Sequence, residues 1–148
     1  MKKIHLKTKV QTPYKKVFER FDLSLFEALK PPMVKLEVER FDGCLKGNEV
    51  HLNIDMGFMK SKWISLITEN SETEQEIYFI DVGKELPFPL RYWKHKHRIL
   101  NIGSDQSEII DEIEYSSGKG WLDALIYPIL YAQFALRGPV YKDVFGRV

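Results

Sequence analysis

The sequence predicts an α+β fold. Seven antiparallel strands form a curved sheet, two short helices follow the first strand, and a long C-terminal helix packs across one sheet face. Three observations lead there. Apolar and polar residues alternate with the two-residue period of half-buried strands in seven separate segments. Turn signals such as Asp42-Gly43 and Gly47-Asn48 separate the last six of those segments at hairpin rather than crossover spacing. Helical periodicity on a mostly apolar stretch begins only after Ser117-Gly118.

In residues 3–11, Ile4, Leu6, Thr8 and Val10 face one way and His5, Lys7 and Lys9 the other. Thr12-Pro13 supplies a helix start, Thr12 as N-cap and Pro13 at the first helical position. Tyr14, Val17, Phe18 and Phe21 continue it at helical spacing over roughly 13–22. A second helical piece at about 24–29 ends before Pro31-Pro32, since proline lacks the amide proton a helix needs and restricts the residue before it. Val34, Leu36 and Val38 mark the second strand, and Val50, Leu52 and Ile54 the third. Strands over 61–70 and 75–82 flank the turn Asn70-Ser71-Glu72-Thr73, and strands over about 92–101 and 107–115 surround Gly103-Ser104-Asp105-Gln106. From Trp121 the apolar residues trace a helix to about Phe145, kinked at Pro128 and open to interruption at Gly138-Pro139. A curved sheet gripping such a helix leaves a cavity between them.

The chain of 148 residues is expected to be a single domain spanning 1–148, large enough to bury a core without disulfides or metal. Lys and Arg number 22 against 21 Asp and Glu, and a net charge of +1 gives no global attraction to nucleic acid or anionic lipid. The lone Cys44 has no internal disulfide partner, no apolar run matches a signal peptide, and none approaches a membrane span. The expectation is a soluble cytoplasmic protein.

The most distinctive stretch is Pro87-Phe88-Pro89-Leu90-Arg91-Tyr92-Trp93-Lys94-His95-Lys96-His97-Arg98-Ile99, followed by Asp111-Glu112-Ile113-Glu114-Tyr115. Its Pro-Phe, Trp-x-His-x-His and Asp-x-x-x-Tyr pattern, with the order of elements, resembles the SRPBCC or START-like superfamily, and within it a bacterial ligand-binding subgroup. The resemblance covers essentially the whole chain. It implies the helix-grip fold and a hydrophobic cavity for a small ligand, in a superfamily that includes lipid-transfer domains, polyketide cyclases and birch-pollen-allergen-like proteins. Ser116-Ser117-Gly118 stands where that pattern has Pro-x-Gly, so the strand-to-helix corner is expected to differ.

Alternation places Trp93, His95, His97 and Ile99 on the inner face of one strand and Ile109, Asp111, Ile113 and Tyr115 on that of the next. A turn centred near residue 104 sets His97 opposite Asp111, His95 opposite Ile113 and Trp93 opposite Tyr115. An inward carboxylate beside an imidazole can satisfy a buried polar pair or orient a ligand's polar end, which is the favoured reading, with His95, His97 and Asp111 giving polar recognition. The alternative is a cyclase- or dehydratase-like enzyme in which His97 and Asp111 are catalytic and move protons. Ser65 and Thr68 are candidate hydroxyls of the cavity, and nothing in the sequence sets either against a histidine as a nucleophile.

His95 and His97 also match two ligands of a metal site with Asp111 as third, but no supporting partners are visible and neither metal nor cofactor is expected. Lys94-His95-Lys96-His97-Arg98 is basic, yet alternation splits it between two faces and Glu108, Glu112 and Glu114 oppose its outward charges, so no nucleic-acid partner is expected. Trp63, Phe79, Trp93, Tyr115, Trp121, Tyr127, Tyr131 and Phe134 are the candidate lining of a site for a small hydrophobic or amphipathic molecule. The loop at 83–90 and the apolar loop Met56-Gly57-Phe58-Met59 are candidate portals. A further alternative is an interaction module with a packed core that uses the first of these loops, through Phe88, as its contact. Arg137 is expected to serve the helix dipole or a structural ion pair rather than a ligand.

Overall fold

The computed structural model describes residues 1–32, 34–55 and 57–148, so Met56 of the second candidate portal lies outside the described residues. The elements are β1 (Lys2–Val10), α1 (Tyr14–Glu19), α2 (Leu23–Ala28), β2 (Lys35–Phe41), β3 (Glu49–Asp55), β4 (Lys60–Glu72), β5 (Glu76–Glu85), β6 (Tyr92–Asn101), β7 (Ser107–Ser116), α3 (Gly120–Ala135) and α4 (Arg137–Phe145). The strands form one sheet in the order β1-β7-β6-β5-β4-β3-β2, and every neighbouring pair is antiparallel. The helix-grip architecture expected from the sequence is thus present. Among the described residues no helix is long and apolar enough to cross a membrane.

The expected register of β6 on β7 holds at each position: His97 faces Asp111, His95 faces Ile113 and Trp93 faces Tyr115. Period-2 alternation also sorts the faces of β1 and β7, with Ile4, Val10, Ile109, Ile113 and Tyr115 buried on the inner side. Ile110 departs from the pattern: it is buried on the outer face, between Lys7 and Arg98 in the register.

Several boundaries differ from the expectation. Pro13 is the N-cap of α1 rather than its first helical residue, while Asp22 caps α2 by accepting from the Leu25 amide at 3.0 Å. The β4–β5 hairpin turns at Thr73, whose hydroxyl accepts from the amides of Gln75 and Glu76, so β4 runs into the expected 70–73 turn as far as Glu72 while β5 begins at Glu76. The single long C-terminal helix is two helices that meet at Leu136. In a continuous helix Pro139 would collide with the carbonyl of Ala135; in the first turn of a new helix its missing amide proton is needed by nothing. Pro128 remains inside α3.

The Ser116-Ser117-Gly118 corner is built around one carboxylate. Asp123 in the first turn of α3 accepts from the Ser117 amide at 2.7 Å and its hydroxyl at 2.6 Å, and its backbone carbonyl accepts from the fully buried Tyr115 hydroxyl at 2.8 Å. Gly118 turns the chain at φ +85°, a left-handed conformation that glycine adopts without a Cβ penalty. Tyr115→Phe removes the hydroxyl that ties β7 to the Asp123 carbonyl, and equilibrium urea unfolding is expected to show a loss of about 1 kcal/mol with an unchanged m value.

Candidate functional site

Inward-facing residues of the adjacent strands β7, β6 and β5 change from apolar to polar partway along each strand. On β6, Trp93 packs in one core cluster with Ile4, Ile113, Tyr115 and Leu130, and Ile99 packs in another with Val10, Ile77, Ile109 and Phe145. His95 and His97 lie between the two. Asp111 occupies the same interval on β7, and on β5 Asp81 follows Ile77 and Phe79 on the inner face. A polar belt therefore crosses the sheet between two apolar halves.

Within the belt the partners are diagonal. His95 Nε2 is 2.7 Å from Asp111 Oδ1, and His97 Nε2 is 2.6 Å from Asp81 Oδ2. The imidazoles stack with centroids 3.6 Å apart, and His97 stacks in turn on Phe79 at 4.3 Å. This corrects the expected His97–Asp111 pair: the two residues are opposite in register, but their nearest polar atoms, His97 Nδ1 and Asp111 Oδ1, are 3.8 Å apart. Stacking sends each ring edge toward the next strand's diagonal position, a reach of the kind long cross-strand side chains make.

Arg137, the first residue of α4, reaches back to the belt. Its Nη1 lies 3.6 Å from Asp111 Oδ1 and 3.5 Å from the Tyr141 hydroxyl, and its guanidinium sits 4.6 Å from the Phe134 ring centre. The structural ion pair expected for Arg137 thus has Asp111 as its carboxylate. Burial alone would raise the Asp111 carboxyl, but the His95 hydrogen bond and the Arg137 charge outweigh it and hold it well below the usual carboxylate range. Asp81 is likewise lowered against its burial by the His97 hydrogen bond. His95, only 3% exposed, is pushed down to about 4, chiefly by burial and then by the adjacent His97. It is a neutral ring donating to an ionised carboxylate.

A cavity of about 330 Å³ opens beside the belt, between the sheet, α2 and α3. Leu25, Phe26 and Leu29 of α2, Val50, Leu52 and Ile54 of β3, and Ile126, Leu130 and Phe134 of α3 form its apolar wall. Asp81, His95, His97 and Arg137 supply its polar end, and Ser65 accepts from the Trp63 indole at 3.1 Å on the wall. Cys44 also lines it, but burial pushes that thiol up to about 12 and keeps it protonated.

Of the residues singled out from sequence, Trp63, Phe79, Trp93, His95, His97 and Phe134 line this cavity. Asp111 stands behind the histidines, held by His95 and Arg137. Tyr115 is buried at the strand-to-helix corner instead. Trp121, Tyr127 and Tyr131 are not on the wall: Trp121 is 68% exposed, and Tyr127 stacks on Tyr131 at 6.0 Å. Their misplacement has a simple cause. The cavity-facing row of α3 runs through Ile126, Leu130, Gln133 and Phe134; Trp121 and Tyr131 fall on the exposed side, and half-buried Tyr127 packs against the Trp93 cluster instead. Thr68 is exposed as well: Trp63, Ser65 and Ile67 line the cavity, and alternation along β4 turns Thr68 to the other face. In the loop at 83–90, Leu86 and Leu90 pack against the core, whereas Phe88 is 80% exposed at the cavity rim.

Asp81 is the residue that sequence reasoning missed. Its signal was present, since alternation places it on the same face as Ile77 and Phe79.

Fold and site together define a helix-grip protein with a part-polar internal cavity. Solved structures share that architecture. Norcoclaurine synthase from Thalictrum flavum superposes with a TM-score of 0.65 at 17% identity, covering 99% of this chain and 95% of that one. The ZhuI aromatase/cyclase from a Streptomyces species gives 0.60 at 16% identity over 97% and 95% of the two chains. A START superfamily protein from Mycobacterium smegmatis gives 0.61 at 10% identity over 90% and 91%. No family model and no curated protein matches the sequence. At these identities the likeness is one of fold.

The belt makes stability sensitive to pH. His95 faces Asp111, Asp81, His97 and Arg137, and its folded-state value of about 4 lies below the ordinary 6.5. Between those values the unfolded chain binds a proton that the folded one does not, so stability falls as pH is lowered through that window. Thermal unfolding midpoints measured at about pH 7 and about pH 5 are expected to drop more for the wild type than for His95→Gln, which keeps an N–H toward Asp111 without titrating.

Proposed function

We propose that the protein binds a small, mostly apolar molecule whose polar group sits against Asp81, His97, His95 and Arg137. The observation that carries this reading is the joining of an apolar wall to one polar end within a cavity of about 330 Å³, at the lower edge of the size range of small-molecule pockets. Trp63, Phe79, Trp93 and Phe134 are the aromatic contacts, His95 and His97 the hydrogen-bonding groups, and Asp111 the residue that positions His95. Among proteins of this fold, a norcoclaurine synthase has been solved with dopamine and hydroxybenzaldehyde, which are aromatic molecules with polar substituents.

A second reading, proton transfer on a bound carbonyl compound, is favoured by one distance. His97 Nε2 and Asp81 Oδ2 are 2.6 Å apart on the cavity wall, the arrangement in which a carboxylate orients a histidine that moves protons. Here His97 is the proton carrier and Asp81 replaces Asp111 as its partner. Turnover lost in His97→Ala with ligand affinity kept distinguishes this reading from binding alone.

Native mass spectrometry of untagged protein, followed by denaturing extraction, is expected to reveal a discrete added mass. The same purified protein is expected to bind the apolar probe 1-anilinonaphthalene-8-sulfonate saturably. Leu36→Trp, which fills the wall from edge strand β2, should weaken probe binding by about tenfold or more, equivalent to ~1.4 kcal/mol, and remove the added mass. An unliganded mass together with probe binding that Leu36→Trp does not change overturns the proposal.

A further inference from the structure

The polar end of the cavity gathers two buried aspartates, Asp81 and Asp111, around the stacked imidazoles of His95 and His97, with the Arg137 guanidinium beside Asp111. Buried carboxylates call for nearby donors or cations, and the space between the rings and Asp81 is where three ligand-type atoms converge.

Hydrogen bonding at His97 indicates which cation. The ring lies between two carboxylates, with Nε2 at 2.6 Å from Asp81 Oδ2 and Nδ1 at 3.8 Å from Asp111 Oδ1. A neutral imidazole carries one N–H, so either tautomer turns a lone pair toward a carboxylate. With the proton on Nε2, Nδ1 is buried and has no hydrogen-bond partner. A metal ion taken up at Nε2 reverses this: the proton moves to Nδ1, where it faces Asp111, and the Nε2 lone pair is used.

His95 is already set for the same role. Its Nε2–H is committed to Asp111, which leaves the Nδ1 lone pair 4.0 Å from Asp81 Oδ2. A histidine whose second nitrogen donates to a carboxylate is the usual arrangement of a metal-bound imidazole, and Asp111 is itself held by Arg137 and Tyr141. The ligand atoms of Asp81, His95 and His97 all lie within 4.8 Å of one another. Two ligands on bonds of ~2.0–2.2 Å at a tetrahedral angle sit about 3.4 Å apart, so receiving an ion requires the 2.6 Å contact to open, the 4.0 Å one to close and the stacked rings to tilt so that their in-plane lone pairs converge.

We propose that Asp81, His95 and His97 form a site for one divalent first-row transition-metal ion, with Asp111 as the outer partner of His95. Two imidazoles and one carboxylate are a donor set for zinc, iron or cobalt rather than for magnesium or calcium. All three ligands line the cavity, so the ion's remaining positions face whatever enters it. Asp81 takes the place that sequence alone assigned to Asp111, and this site does not depend on the identity of the small molecule proposed above.

The test uses untagged protein, stripped with a chelator and returned to chelator-free buffer at neutral pH. Cobalt(II) titration is expected to give visible ligand-field bands saturating at one ion per chain, and zinc(II) should compete for the same site by calorimetry. His97→Gln and Asp81→Asn should lose the bands, and Asp111→Asn should weaken affinity ~10–100-fold. His5→Gln and His51→Gln, which alter the surface pairs with Glu112 and Glu49, should leave it unchanged. Should the belt variants unfold, imidazole nitrogen resonances of the wild type give the same answer, with zinc shifting His95 and His97 and sparing His5 and His51. Absence of stoichiometric binding, or binding that survives in His97→Gln or leaves the His95 and His97 resonances unmoved, overturns the proposal.

Discussion

Two ionised aspartates inside the concave face of a sheet are the constraint around which this molecule is arranged. Burial alone would protonate or expel Asp81 and Asp111, and each is kept charged by a histidine N–H at 2.6–2.7 Å and by proximity to Arg137. That requirement reaches into the backbone. Arg137 and Tyr141 approach Asp111 from α4, so the chain has to leave the axis of α3 at Leu136 and begin a new helix. Pro139 suits that change of direction, since it sits in the first turn of α4 where its missing amide proton costs nothing.

The belt also decides where the empty space lies. Tight apolar packing is continuous above and below it, around Trp93 with Leu130 on one side and around Ile99 with Tyr141 on the other. Toward β2 and β3 the sheet curls away from α3, and short α2 closes the gap with Leu25, Phe26 and Leu29. The cavity is therefore a consequence of sheet curvature plus helices too short to fill it. Its polar end is where the belt meets Phe134 of α3 and Arg137 of α4.

How much of this was legible in the sequence follows from which rules are local. Period-2 alternation and turn spacing carried the strand order and the complete β6–β7 register, because both depend on neighbours a few residues apart. Arg137 as an ion-pair residue was legible; its partner Asp111 was not, since that contact depends on how α4 crosses the sheet. The diagonal histidine pairs escaped for a related reason. Register fixes Cα positions, but ring stacking fixes where Nε2 points. Trp121, Tyr127 and Tyr131 were misplaced because a helix apolar on several faces gives no phase, and only packing chooses Ile126, Leu130 and Phe134 as the inward row. Asp81 was different: its position was readable from alternation, and only its chemistry depended on a neighbour sixteen residues away.

The cost of the belt bears on what it is for. Buried ion pairs seldom stabilise a fold relative to apolar residues of similar volume, and this one interrupts a core that is otherwise made of Ile, Val, Trp and Tyr. If the belt served packing alone, Phe79 and Ile77 show what the same inner row of β5 accepts, and an apolar residue at Asp81 would continue it. Instead Asp81, His95 and His97 converge within 4.8 Å and face the one unfilled volume beside them, while Asp111 is withdrawn behind to orient His95. A structural network would close on itself. This one leaves His97 Nδ1 without a hydrogen-bond partner beside a cavity wall that carries Asp81, His95 and His97, which is the form expected of groups kept for a ligand.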